Sequence, residues 1–293
     1  MHRAEPLFVA LTADVDADAN RPAPGRPDAV SPCGEAEFDA CAEGTRALVE
    51  VLTALSLPAA FFWEGRALEW FSGHAAPLLA SILRNPLVEN GCHGYAHEDF
   101  AGCGSGLRLD ASEALARLER AGAAFRSVFG RAPEGFRAPY CRLTDELVAA
   151  LAELGYLYDS SHTREPSPDR PLTPYRLPGT GVWELALCRA RDRDGRPVSS
   201  YLWQLFEGNR DVVDYLDLLP AAKRECGGGL LLFALHPWHL VVSADGEPLN
   251  RRGPEAPETR LRQLLQAATE TDGIRFTTPG EYLARDSFGE RRV

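Results

Sequence analysis

Short apolar runs alternate with longer amphipathic patterns along most of this chain, and that alternation constrains the fold more than any other feature. A buried parallel strand is a short continuous apolar run, whereas a helix repeats its apolar residues every three to four positions. The alternation therefore predicts an α/β protein built from βα units around a parallel sheet. Eight strands are predicted: Leu7–Thr12, Ala59–Trp63, Leu87–Cys92, Gly135–Ala138, Tyr156–Asp159, Val182–Leu187, Leu230–His236 and Ile274–Thr277.

Two of the intervening helices have clear boundaries. One begins after Asp110, which forms a capping-box pattern with Glu113, and its apolar residues recur at helical spacing as far as Phe129. The other begins at Thr144 and stops at Gly155, the residue type preferred just past a helix end.

Three irregular stretches, 19–34, 162–181 and 243–258, interrupt this rhythm. Parallel α/β proteins build their ligand sites from loops at the carboxyl ends of strands, so the stretches after the first and seventh strands are predicted to contact substrate. A solvated linker is the alternative for each. No stretch separates two halves with independent patterns, and we interpret residues 1–293 as a single catalytic domain.

Composition limits the partners of the chain. Its 293 residues carry 31 basic and 42 acidic side chains, a formal net charge of −11, which argues against extended contact with nucleic acid or an anionic membrane. No segment approaches the ~20 uninterrupted apolar residues of a membrane-spanning helix. No targeting segment is recognisable at the start, and the seven cysteines form no Cys-x-x-Cys pair. We therefore expect a cytoplasmic protein.

Three acids follow the first predicted strand at alternate positions: Asp14, Asp16 and Asp18. Carboxylates this close repel each other, and a bound cation or a catalytic role compensates that cost. An acid-rich polar loop is the alternative interpretation.

Two histidines, His93 and His97, follow the third predicted strand between flanking glycines. At this spacing their imidazoles can turn to one point, at the same edge of the sheet as the acids. Two histidines and one carboxylate form a facial ligand set suited to Zn²⁺ or another divalent ion.

Two further strands end in polar residues. Arg137 precedes Pro139 where the fourth strand meets its loop, and a guanidinium there can hold a carboxylate bidentately. His236 ends the seventh strand and would be the third histidine at the same edge, although a lone histidine after a strand is more often structural. Trp63, Trp183 and Trp238 are candidates to stack on a sugar ring, with core packing at least as common for each.

Five motifs in this order, TADVD, HGYAH, FRAPY, YDSS and LHPW, resemble those of the NodB-type polysaccharide deacetylases, carbohydrate esterase family 4. The match is closest to the branch of cytoplasmic peptidoglycan deacetylase-like proteins and the related allantoinases. The resemblance implies a distorted (β/α) barrel of about seven parallel strands, hydrolysis of an N-acetyl group from a saccharide, and homo-oligomers.

The resemblance also assigns catalytic roles. Asp14 matches the catalytic base, Arg137 the arginine that orients the base, and Asp159 a partner of that arginine. The backbone N–H of Tyr140 matches an oxyanion donor, and His236 matches the general acid.

The metal ligands implied by the resemblance are His93, His97 and an acid of the first motif. Most members have two adjacent acids there, whereas this chain has Val15 in the second slot. We assign Asp16 as the third ligand, because a step of two residues returns a side chain to the same side of an extended chain. The expected cofactor is Zn²⁺, or Co²⁺ or Ni²⁺ in its place.

Two other functions stay open. One is an amidohydrolase acting on a ureide or cyclic amide, with or without metal, on the same scaffold. The other is a non-catalytic glycan-binding protein with a degenerate site.

Overall fold

A computed structural model describes residues 6–35, 37–167, 172–192, 194–226 and 229–285 of the chain. The strands are β1 (Leu7–Val15), β2 (Arg21–Ala23), β3 (Arg26–Val30), β4 (Ala59–Trp63), β5 (Val88–Cys92), β6 (Gly135–Phe136), β7 (Tyr158–Asp159), β8 (Thr163–Arg164), β9 (Tyr175–Arg176), β10 (Trp183–Glu184), β11 (Leu187–Arg191), β12 (Pro197–Ser199), β13 (Leu230–Leu235) and β14 (Ile274–Phe276).

The helices are α1 (Asp39–Leu55), α2 (Gly65–His74), α3 (Ala76–Leu83), α4 (Ala111–Phe129), α5 (Asp145–Glu153), α6 (Trp203–Phe206), α7 (Val212–Leu216), α8 (Leu218–Cys226), α9 (Pro257–Glu270) and α10 (Pro279–Leu283). Two single turns of 3-10 helix, Pro139–Cys141 and Pro237–Leu240, follow β6 and β13. Within the described ranges, no helix combines the length and the apolar character that crossing a bilayer requires.

The main sheet curls into a half-barrel with the strand order β13-β1-β4-β5-β6-β7-β10-β9, and β14 also pairs with β1. Along this path β13, β1, β4, β5, β6, β7 and β10 are mutually parallel, and β9 adds an antiparallel edge. The expected distorted barrel of about seven parallel strands is thus confirmed in the form of a half-barrel. All nine residues of β1 are buried, as expected of a strand covered on both faces.

The predicted elements agree with this sheet, with several differences. Strands β8, β9 and β12 were not predicted, and β8 and β9 lie in the stretch 162–181 that was expected to be irregular. The apolar run 182–187 divides between β10 and the start of β11. The stretch 19–34, expected to be irregular, contains the β2–β3 hairpin. Strand β3 is hydrogen-bonded to the loop after β5, because the Ala29 N–H donates to Ala96 O at 3.2 Å. Of the stretch 162–181, residues 168–171 lie outside the described residues.

Both predicted helix boundaries are confirmed. The Asp110 side chain accepts from the Glu113 N–H at the start of α4, and the Glu113 carboxylate accepts from the Asp110 N–H at 2.9 Å. Thr144 caps α5, and Gly155 adopts a φ of 76°, which favours glycine, just past its end.

The segment between β12 and α6 lies along β13. The Leu202 N–H donates to Ala234 O at 2.7 Å, and the Ala234 N–H donates to Ser200 O at 3.1 Å. Tyr201 therefore pairs with Ala234 in a parallel bridge, two residues before His236.

Helix α1 packs directly on the turn that follows β13. A Cβ atom on Gly44 of α1 would lie 1.9 Å from the carbonyl oxygen of Pro237. A residue without a side chain is thus required where the helix meets the turn that directly follows His236 and carries Trp238.

Candidate active site

The predicted site residues meet at the carboxyl edge of the half-barrel. Asp14 lies near the end of β1 and Asp16 just beyond it, His93 follows β5, Arg137 follows β6, and His236 follows β13. All of these except His236 are almost fully buried, and the side chain of His236 is 13% exposed. A cavity of about 720 Å³ opens onto this cluster, so the edge predicted from the strand ends holds a pocket for a ligand.

Three of these residues form a group with the chemistry of a metal site. One ligand atom each from Asp16, His93 and His97 lie within 4.8 Å of one another. The Asp16 Oδ2 atom lies 3.1 Å from His97 Nε2 and 3.9 Å from His93 Nε2. Two ligand atoms of a tetrahedral zinc ion are about 3.4 Å apart, so the observed separations bracket the spacing that such an ion requires.

Neighbouring groups orient the proposed ligands. His93 donates from Nδ1 to the Arg137 carbonyl oxygen at 2.8 Å, which leaves the lone pair on Nε2. That Nε2 atom is buried and has no hydrogen-bond partner among the described residues. The Trp238 indole donates to Asp16 Oδ1 at 3.0 Å and leaves Oδ2 facing the histidines. Such orienting contacts are typical around bound metal ions.

The electrostatics of the cluster also fit a bound cation. Burial lowers the pKa of His97 to about 3 and also lowers the pKa of His93, so both imidazoles are neutral and can donate lone pairs. Burial raises the pKa of Asp16 well above its usual range, because an isolated carboxylate is poorly solvated there. A dication would offset that cost, and the three residues fit one.

Asp14 stays ionised through an ion pair. Burial by itself raises its pKa, but the charge of Arg137 and the hydrogen bond from Tyr201 lower the pKa below its usual value. The Arg137 Nη1 atom donates to Asp14 Oδ1 at 3.0 Å, and the arginine side chain is fully buried. The predicted pairing of these two residues is therefore present in the structure.

The prediction that Asp159 is the partner of Arg137 is wrong. Arg137 donates instead to the carbonyl oxygen and hydroxyl of Ser160, at 2.8 and 2.9 Å. The Asp159 carboxylate accepts from the N–H and hydroxyl of Ser161, at 2.9 and 2.8 Å. Successive side chains along an extended segment point to opposite faces, and Ser160 rather than Asp159 lies on the face of the arginine.

His236 lies beside both acids. Its Nε2 atom is 3.9 Å from Asp16 Oδ2, and its ring stacks on Trp238 with centroids 4.9 Å apart. Burial lowers the pKa of His236 well below its usual value, so the neutral imidazole is the resting form.

Tyr140 occupies a strained turn at the edge of the cavity. Tyr140 and Cys141 have φ values of 59° and 54°, in the left-handed region that side chains rarely adopt. The Tyr140 ring stands edge-on to His97, with centroids 4.5 Å apart. Strain of this kind is often concentrated at functional sites.

Sequence reasoning missed Tyr201. Its hydroxyl donates to Asp14 Oδ2 at 2.6 Å and lies 3.0 Å from His236 Nε2. Burial, followed by the charge of Asp14, raises the pKa of this phenol well above its usual value, so it is protonated. No local pattern in the sequence around Tyr201 marks this contact.

The tryptophans divide between core and site. Trp63 is fully buried and donates to Asn90 at 2.8 Å in the core, whereas Trp238 and Trp203 line the cavity. Both stretches predicted to contact substrate reach the cavity, through Ala19, Asn20 and Arg21 on one side and Ala244 on the other.

The chain is similar to known proteins both in sequence and in fold. Residues 35–158 match the family model for polysaccharide deacetylases. A peptidoglycan deacetylase-like protein of Gibberella zeae is 28% identical over 120 residues, which are 40% of this chain and about a third (32%) of that protein. The matched family segment contains the histidine pair and Arg137 but not Asp14, Asp16 or His236, whose assignment depends on the geometry of the site.

Solved structures share the fold over almost the whole chain. A polysaccharide deacetylase-like protein from Mycobacterium smegmatis superposes with a TM-score of 0.65 at 21% identity, over 96% of this chain and 90% of the other. An allantoinase superposes with a TM-score of 0.63 at 15% identity, over 99% and 94% of the two chains. The likeness in fold defines the class as an α/β half-barrel of the polysaccharide deacetylase type. Within that fold class, the chain is similar to the NodB-type polysaccharide deacetylases, carbohydrate esterase family 4, over the matched segment 35–158.

Proposed function

We propose that this chain is a metal-dependent N-deacetylase that removes the acetyl group from an N-acetylated sugar or glycan. The observation that carries the proposal is the juxtaposition of two groups at one cavity. The Asp16, His93 and His97 ligand atoms lie within 4.8 Å of one another, and the Asp14–Arg137 ion pair lies beside them.

Asp16, His93 and His97 would hold the ion, with Zn²⁺ favoured by two imidazoles and one carboxylate and Co²⁺ or Ni²⁺ as substitutes. When bound, the ion supplies Lewis acidity, which polarises a carbonyl and brings the pKa of water towards ~7. The carboxylate of Asp14, with its lowered pKa, is a weak base and needs a water made acidic in this way.

The residues of the chain perform the remaining steps. Asp14 accepts the proton of the attacking water, and Arg137 fixes the carboxylate in place and in its charged form. The Tyr140 N–H is positioned at the cavity edge to donate to the oxyanion of the tetrahedral intermediate, a contribution of about 3 kcal/mol for one such donor. His236 protonates the departing amine.

The cavity suits a sugar. Its volume of about 720 Å³ is within the range of small-molecule sites, and the aromatic side chains of Tyr140 and Trp203 are among its lining residues. Aromatic faces stack on the apolar faces of sugar rings, while the polar edge of the ring reaches the acids and histidines.

The proposal is tested by metal analysis of three purified proteins: wild type, Asp16→Asn and Asp18→Asn. Asp18 is a matched control, because it lies in the same acid cluster but its carboxylate accepts from the Ser31 hydroxyl and from the Cys33 N–H at 3.1 Å. We expect about one equivalent of divalent metal in wild type and Asp18→Asn, and almost none in Asp16→Asn. Full metal occupancy in Asp16→Asn would refute the assigned ligand set.

Acetate release is measured with the same proteins on N-acetylglucosamine, its oligomers, nucleotide-linked N-acetyl sugars and peptidoglycan fragments. We expect acetate from at least one of them, and its loss in Asp16→Asn. Ring opening of a hydantoin or of allantoin without any acetate release would favour the ureide alternative instead.

A further inference from the structure

Arg189 of β11 lines the cavity that holds the acids and the histidines. We propose that Arg189, together with the hydroxyl of Ser199, binds an anionic group of the substrate, a carboxylate or a phosphate. The preferred substrate is then an acidic N-acetylated saccharide. This inference rests on the proposed deacetylase function and names the class of substrate that the site takes.

The pairing of two strands places these side chains next to each other. In the antiparallel β11–β12 pair, Arg189 lies directly opposite Ser199. Cys188, Ala190 and Val198 are buried on the face that packs into the protein. Because successive side chains of a strand point to opposite faces, Arg189 and Ser199 share the other face, and both line the cavity.

The guanidinium of Arg189 is free to bind a ligand. Arg189 is exposed, and no acceptor in the described part of the chain forms a hydrogen bond or an ion pair with it. The other arginine that lines the cavity, Arg21, is already occupied, because it donates to the Asp245 carboxylate and to Ala244 O, each at 2.7 Å. Arg189 is therefore the cation of the cavity wall whose donors a substrate can use.

The Ser199 hydroxyl adds a second donor. Its oxygen accepts from the Tyr201 N–H at 3.3 Å, and none of the described residues accepts its proton. A guanidinium pairs bidentately with the oxygens of a carboxylate or a phosphate, and a neighbouring hydroxyl can donate to the same group. A neutral sugar hydroxyl would leave the charge of Arg189 uncompensated.

The same strand leads to the proposed base. Tyr201 is two residues beyond Ser199, at most ~7 Å along the chain, and its hydroxyl donates to Asp14 Oδ2 at 2.6 Å. The proposed anion site is therefore close to the reacting centre. The anionic group would belong to the sugar that carries the acetyl group, or to the group linked directly to that sugar.

The attraction for an anion would be local. The chain as a whole does not attract anions, since its formal net charge is −11. At physiological ionic strength, exposed charges more than about 8 Å apart are largely screened from each other. A preference for an acidic substrate would therefore depend on Arg189 and not on the charge of the whole protein.

The test compares acetate release from three sugars: neutral N-acetylglucosamine, N-acetylmuramic acid with its carboxylate, and N-acetylglucosamine 1-phosphate. For wild type we expect kcat/KM on at least one charged sugar to exceed that on the neutral sugar by about 10-fold or more, as a hydrogen bond to a charged group provides. In Arg189→Gln we expect this advantage to be lost, mainly through KM, with less than about a threefold change on N-acetylglucosamine. The two charged sugars show whether the group is a carboxylate or a phosphate.

Arg191→Gln is the matched control. Arg191 lies two residues further along β11, but it donates to Gly195 O at 2.7 Å and is not among the residues that line the cavity. This variant should keep the wild-type preference. The proposal is overturned if wild type has no preference for a charged sugar, if Arg189→Gln keeps that preference, or if Arg191→Gln loses it to the same extent.

Binding of the deacetylated products separates this inference from the proposed function. Glucosamine, muramic acid and glucosamine 1-phosphate are titrated calorimetrically into wild type and Arg189→Gln. Tighter binding of a charged product to wild type alone, without acetate release from any of the three substrates, would refute the deacetylase and leave the anion site. Acetate release together with equal affinity for all three products would overturn the anion site and leave the deacetylase.

Discussion

Gly44 provides a stringent test of how helix α1 is seated on the turn after β13. Replacing Gly44 with alanine adds a Cβ atom 1.9 Å from the Pro237 carbonyl oxygen, 2.4 Å from its carbon and 3.0 Å from the Trp238 nitrogen. All three atoms belong to the backbone, so no side chain can rotate away.

The size of the effect follows from these distances. A close carbon–oxygen contact is about 3.3 Å, so the helix and the turn would have to separate by about 1.4 Å (3.3 − 1.9). Overpacking of a rigid core lowers stability by about 1–3 kcal/mol. Because both contacting segments are backbone, we expect Gly44→Ala to fall at the upper end of that range, at about 3 kcal/mol. Because the displaced turn directly follows His236 and carries Trp238, we expect the loss of stability to be accompanied by a loss of acetate release.

Gly73→Ala is the matched control. Gly73 is an exposed residue of helix α2, and a Cβ atom there would have no neighbour within 4 Å. The same substitution should therefore stabilise the protein, by up to about 1 kcal/mol, because alanine is the better helix former. Urea unfolding followed by circular dichroism measures both variants. A Gly44→Ala protein within 1 kcal/mol of wild type would refute the packing argument, since about 3 kcal/mol is expected.

Two further predictions concern buried charges. Arg137→Met leaves the buried Asp14 carboxylate without its ion-pair partner and should lower the free energy of unfolding by about 3–5 kcal/mol. Arg137→Met combined with Asp14→Asn should lower it by much less than the sum of the single changes. Additive losses in urea unfolding with chelator present would contradict this. Burial raises the pKa of Glu64 from 4.5 to about 8, so its contribution to stability is complete below pH 4.5 and is lost as the pH rises through about 8. Glu64→Gln should therefore gain stability relative to wild type between pH 6 and pH 9, and a constant difference between their unfolding midpoints over that range would count against a buried neutral Glu64.

Much of the fold could be predicted because the strands are buried on both faces. Such strands are continuous apolar runs, and the predicted run Ala59–Trp63 coincides with β4. The stretch 19–34 was harder to predict, because its prolines and two glycines break the alternation expected of a hairpin. Its second strand, β3, is held by backbone hydrogen bonds to the loop after β5, which is distant in sequence. For example, the Asp99 N–H donates to Pro27 O at 2.7 Å.

The candidate site likewise contains some residues whose position could be predicted from the sequence and others whose position could not. Asp14, Asp16, His93 and His97 could be predicted to lie together because each follows or ends a strand at one edge of the sheet. The partner of Arg137 could not, because the choice between Asp159 and Ser160 depends on which face of a two-residue strand meets the arginine.

Tyr201 illustrates a contact that no local pattern records. It bonds to Asp14 across 187 positions of sequence, and the contact exists only because the segment after β12 pairs with β13. Strand pairing of this kind depends on tertiary packing and leaves little trace in the sequence around the tyrosine.

The most direct test of the metal-dependent deacetylase is acetate release from an N-acetylglucosamine oligomer, measured on one preparation before chelation, after chelation and after Zn²⁺ is restored. We predict that activity is lost with the metal and returns with it in wild type, and that Asp16→Asn stays inactive in all three states. Undiminished acetate release from the metal-free protein would contradict the account.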